Sequence, residues 1–149
     1  MNIVAIIRNA VGFAGLLFLG LEDIRRKELV SLQILIMGAL GLVLSFLCGA
    51  WKEPGMLLSY LPGIVFLLIA YVGRECIGYG DGLVILCLGA YLSPGQIFEL
   101  CMAALTLAGL VALGLMLAAH KGRRTTLPFV PFLLAGYVIV MVRKICFGG

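Results

Sequence analysis

The chain contains two aspartates, Asp23 and Asp81, and each stands where an apolar run meets a short polar connection. Two carboxylates a few ångströms apart cannot both ionise, so such a pair shares one proton. The ionised member then takes a proton from water while the protonated member polarises a carbonyl, which is the chemistry of peptide hydrolysis with no metal or cofactor. Asp81 lies in G-Y-G-D-G, Gly78 to Gly82. Without side chains, Gly78 and Gly80 let an extended peptide backbone come close to that carboxylate. Each aspartate also has a plainer reading. Asp81 can be the N-cap of the apolar helix that follows, its glycines serving as turn formers. Asp23 can be a helix-end carboxylate balanced by Arg26 and Lys27 at helical spacing.

The elements that must position these residues are apolar. A chain of 149 residues that is 63% hydrophobic and 12% charged, with mean hydropathy +1.19, falls outside the range of soluble globular proteins. Its length suits one integral-membrane domain spanning residues 1–149, and a crossing helix needs roughly 20 apolar residues. The expected fold is all-α, a polytopic membrane helix bundle of about six transmembrane helices. The apolar segments are 3–21, 29–49, 56–73, 82–93, 96–119 and 128–147, the fourth being short. S-P-G at Ser93 to Gly95 makes a turn into the fifth. Twenty glycines, roughly double the usual share, suit close helix contacts in lipid. The first segment lacks a basic leader and an A-x-A cleavage signal, so it reads as a retained helix.

The charge pattern supplies topology and narrows the partners. Net charge is +4, yet the eleven Lys and Arg cluster between apolar runs and are not interleaved with aromatics, which argues against a nucleic-acid partner. Seven of them (Arg25, Arg26, Lys27, Arg74, Lys121, Arg123, Arg124) follow segments one, three and five, against four (Arg8, Lys52, Arg143, Lys144) on the other side. Basic residues are retained in the cytoplasm. This orientation puts both termini outside and both aspartates at the cytoplasmic face of a multi-pass protein of the cell membrane. The five cysteines form no C-x-x-C pair, against a zinc knuckle, a thioredoxin-type motif or a disulfide scaffold.

G-Y-G-D opening a helix, preceded by D-I-R-R-K-E at the end of the first span, resembles the type IV prepilin peptidases, a family of GxGD membrane aspartyl proteases. L-P-F-V-P-F-L-L-A-G, Leu127 to Gly136, is similar to the family's P-F-x-P-F-L segment at its last helix. The resemblance covers nearly the whole chain. It implies the GxGD aspartyl protease fold, with Asp23 and Asp81 catalytic and Gly78 and Gly80 as motif glycines that receive the substrate. Pro128 and Pro131 fall in the late proline motif, where they imply helix packing near the site. The implied substrates are prepilin-like precursors with a basic leader and an apolar amino-terminal helix, cut at the cytoplasmic membrane face, commonly just after a glycine. Two departures stand out: Leu83 occupies the lysine position of GxGD-x-K, and L-V-S at Leu29 to Ser31 replaces I-P-N. The cysteine-rich amino-terminal segment that larger, N-methylating relatives carry is not in this sequence, so the resemblance implies peptidase activity and does not extend to the methyltransferase step.

Three other readings compete. Cys76 and His120 both fall in cytoplasmic connections, but nothing in the spacing brings nucleophile and base together. A proton-coupled transporter or channel would place its carboxylates near the bilayer centre, whereas these stand at helix ends. A catalytically silent pilus-assembly component would not need both aspartates. Within the GxGD proteases, presenilin and signal-peptide-peptidase relatives carry a Y-D pair at the first aspartate, where this chain has Glu22-Asp23.

Overall fold

The computed structural model describes residues 3–26, 31–50, 55–73, 78–119 and 128–147, and these form six α-helices with no strand among them. In chain order they are α1 (Ile3–Arg26), α2 (Ser31–Leu47), α3 (Leu61–Val72), α4 (Tyr79–Leu88), α5 (Pro94–Ala119) and α6 (Val130–Phe147). A 3₁₀ turn, Met56–Tyr60, leads into α3.

Local chemistry sets the helix ends. Helix α2 closes on Gly49, whose φ of 69° is the left-handed conformation that a side chain disfavours. Pro62 falls in the first turn of α3, where its missing N–H costs no internal bond. The turn expected at Ser93 to Gly95 is the start of α5. There the Gln96 side chain accepts from the Ser93 N–H at 3.2 Å, and the Ser93 carbonyl accepts from Ile97 at 3.0 Å.

Helix α1 packs between α2 and α6, α2 also against α4, α4 against α3, and α6 against α5, while the 3₁₀ turn touches α3, α4 and α5. Leu16, Leu19, Ile85, Leu88, Tyr91, Leu100, Leu133 and Tyr137 fill the middle. Several of these contacts require the absence of a Cβ. One on Gly63 would stand 2.5 Å from the Leu86 Cα, and one on Gly82 would stand 3.0 Å from Leu67, so α3 and α4 touch through a glycine from each. Gly12 and Gly41 form the slot for the Tyr91 ring, whose hydroxyl donates to the Met37 carbonyl at 2.6 Å. The Ser45 hydroxyl donates to the Ala90 carbonyl in the same region.

Outward faces are apolar on α1, α2, α3, α5 and α6, with Ile3, Leu35, Phe46, Val72, Leu117 and Ile145 all largely exposed, while α4 is mostly buried among its neighbours. The stretch Pro94–Leu117, 24 residues or about 36 Å at helical rise, is long and apolar enough to cross a bilayer. Leu32–Leu47, Met56–Val72 and Tyr79–Leu88 are shorter apolar helices. Six helices thus stand where six apolar segments were expected.

Candidate active site

The helix pairings fix which ends meet. Gly20 of α1 lies against Val130 and Pro131 at the start of α6, while near the other end the Tyr137 hydroxyl donates to the Asn9 carbonyl at 2.9 Å. Helices α3 and α4 are likewise antiparallel, Gly63 facing Leu86 and Leu67 facing Gly82. The end of α1, the start of α6 and the start of α4 therefore share one end of the bundle. Asp23 and Asp81 both stand there.

Asp23 occupies the last turn of α1 and is only 7% exposed. Its Oδ2 accepts a hydrogen bond from the main-chain N–H of Val130 at 3.3 Å. Val130 is the first residue of α6, where helical amides have no partner within the helix. The remaining donors of that turn are accounted for. Phe132 and Leu133 donate to the Phe129 carbonyl at 3.0 and 3.2 Å, and Pro131 has no N–H. Asp23 thus caps a helix that begins 107 positions later in the chain.

Asp81 lies in the first turn of α4 and is partly buried. It is not the N-cap: that position belongs to Gly78, in extended conformation, whose carbonyl accepts from the Asp81 N–H at 3.1 Å. The Asp81 carboxylate folds back over Gly78, where a Cβ would stand 3.2 Å from Oδ2. Gly78 is itself exposed, so bare backbone leads from the surface to the carboxylate. Gly80 is partly buried within the same turn. Gly82 belongs to the α3 contact, and Leu83 packs against the core.

The aspartates stand at helix ends, in the last turn of α1 and the first turn of α4, with their carboxyls near enough for the Asp23 charge to act on Asp81. Burial pushes Asp81 up from 3.8 to about 6, and the Asp23 charge adds to the rise. Burial also raises Asp23, but the Val130 N–H pulls it back down.

An aromatic contact flanks them. Phe66 of α3 stacks on Phe129 with ring centroids 6.2 Å apart. Phe129 precedes the residue that binds Asp23, and Phe66 precedes Leu67, which packs on the neighbour of Asp81. Neither the Val130 amide nor this stack is singled out by sequence reasoning, although Pro131 within P-F-V-P-F marks where a helix start would present a free amide.

Arg26 and Lys27, the expected partners of Asp23, have side chains outside the described residues, as do Cys76 and His120. Among the described residues no three His, Cys, Asp or Glu side chains come together as metal ligands would. Comparison of the chain with protein-family models, curated proteins and solved structures returns no match.

Proposed function

We propose that this chain is a membrane-embedded aspartic endopeptidase that cleaves the basic leader of type IV prepilin-like precursors at the cytoplasmic face of the cell membrane, within a polytopic GxGD bundle. The observation that carries the reading is the convergence of Asp23 and Asp81 at one end of the bundle, where the Asp23 charge helps to raise Asp81. Exposed apolar faces on α1, α2, α3, α5 and α6, and a sequence in which basic residues cluster in the connections after the first, third and fifth apolar segments, support a bilayer setting.

Hydrolysis proceeds by attack of water on the scissile carbonyl carbon. The ionised carboxylate takes the water proton, and the protonated one hydrogen-bonds the carbonyl oxygen and neutralises it as the tetrahedral intermediate forms. Collapse breaks the C–N bond, and the amine leaves with the proton first taken from water. A helical substrate must be extended locally before it can be cut, and the open backbone at Gly78 is where an extended strand can approach.

Co-expression with a prepilin-like substrate tests this. Asp23→Asn and Asp81→Asn should each lower leader cleavage by about 100-fold or more. Undiminished cleavage by either variant would remove the dyad. Ion flux in proteoliposomes that depends on the aspartates, with no proteolysis, would instead favour a transporter.

A further inference from the structure

We infer that the main-chain N–H of Val130 is a positioning group that makes Asp23 the ionised member of the pair and leaves Asp81 as the member that carries the proton. The inference rests on the peptidase reading and adds to it the division of labour between two carboxylates that the sequence leaves interchangeable.

At the start of α6 a single amide is left to bond outside the helix. Proline at 131 removes one amide, and the Phe129 carbonyl takes the amides of Phe132 and Leu133. The Val130 N–H is then the one directed at α1, and it meets Asp23 Oδ2. Val130 is fully buried, so water does not compete strongly for this bond. A donor to a carboxylate favours its charged form, and favours it more where solvent is excluded. Among the described residues no donor reaches the Asp81 carboxylate, which faces the Cβ-less backbone of Gly78.

The other titratable groups around the pair are few among the described residues, and α3, packed against α4, brings only the exposed Tyr71 to this end. Helix α2 and the first two turns of α6, both packed against α1, carry no titratable side chain, and on α4 the titratable groups at this end are Asp81 and the exposed Tyr79. Glu22 and Arg25 flank Asp23 on its own helix.

The roles follow with atoms balanced. Water adds to the carbonyl carbon as its proton goes to Asp23, and the carbonyl oxygen takes the proton of Asp81. On collapse Asp23 passes its proton to the departing amine and the new hydroxyl returns one to Asp81, so the pair is restored. Gly78 lets the substrate carbonyl approach Asp81, as the acid role requires.

The chain has two aspartates, so labelling their carboxyl carbons with ¹³C gives two signals, assigned from the Asp23→Asn and Asp81→Asn proteins. In detergent micelles the Asp23 signal should titrate at least about one pH unit below that of Asp81. Val130→Pro deletes the N–H at a helix position where proline is well accommodated and should raise the Asp23 midpoint by about one unit. Val130→Ala keeps the N–H and should leave that midpoint in place. An inverted order of the two midpoints in the unmodified protein overturns the inference whether or not Val130→Pro folds, as does an unmoved Asp23 midpoint in a folded Val130→Pro protein. If both asparagine variants abolish leader cleavage while Asp81 titrates first, the peptidase reading stands and the assignment falls. If cleavage survives both substitutions, the peptidase reading falls, whatever the order of titration.

Discussion

Gly78 lies directly beneath the carboxylate of Asp81, with space for a Cβ only 3.2 Å from Oδ2. Its backbone, at φ −63° and ψ 130°, is open to any residue, so what the position demands is room and not conformational freedom. That separates the helix-forming role of G-Y-G-D from a role at the site.

Gly78→Ala should therefore fold, because alanine at this N-cap costs at most about 1 kcal/mol. The added methyl crowds the carboxylate and covers the bare approach, and leader cleavage should fall by roughly 10- to 100-fold, reflecting misplacement at the reacting centre. Thermal unfolding in micelles, run beside the cleavage assay, separates the two effects. Cleavage at the parental rate would show that the site does not use this space.

A different outcome is expected at Gly63. A Cβ there meets the Leu86 Cα at 2.5 Å and its N at 2.6 Å, and backbone cannot yield as a side-chain tip can. Gly63→Ala should force α3 and α4 apart at a cost of about 1–3 kcal/mol or more, with loss of folded protein. Gly114→Ala is the control. Nothing lies within 4 Å of its Cβ position, and relief of helix-interior glycine should add up to about 1 kcal/mol. Equal melting temperatures for the two variants would contradict this packing.

At the opposite end of the bundle Arg143 Nη2 meets Glu99 Oε2 at 2.6 Å, tying the last turns of α6 to the first of α5. The arginine side chain is mostly exposed, so Arg143→Ala should cost no more than about 1 kcal/mol and leave leader cleavage unchanged. A large loss of cleavage in a protein that still folds would mean that the two ends are coupled.

The apolar segments located all six helices, because an apolar run of this length has few other ways to satisfy its backbone. Their ends were less legible. The fourth segment, 82–93, is α4 displaced to Tyr79–Leu88: the glycines before Asp81 already belong to the cap and first turn. Its end is set from outside, since Gly89 sits against the Ser59 carbonyl and Tyr91 enters the slot made by Gly12 and Gly41. Asp23 and Asp81 were legible as a pair because the chain offers no other aspartate. The Val130 amide was not, because every residue but proline has one, and only the approach of α6 to α1 selects it.

The raised affinity of Asp81 for its proton has a consequence for stability. In the unfolded chain the group titrates at its ordinary 3.8 and in the folded protein at about 6. Below the lower value it is protonated in both states and imposes no cost. Between the two, the folded state holds a proton that the unfolded state has lost, so stability falls as pH rises. Above about 6 the group is ionised in both states and the folded protein bears the whole penalty, at most about 3 kcal/mol and less where solvent screens it. Asp81→Asn removes a charge that the bundle holds at a cost, so it should raise the melting temperature at pH 7 while abolishing cleavage. The gain should shrink towards zero by about pH 4, where the aspartate is already neutral. Melting curves of the two proteins at both pH values decide the matter: a stabilisation of the same size at pH 4 and pH 7 would mean that amide packing, and not relief of a buried charge, is its source.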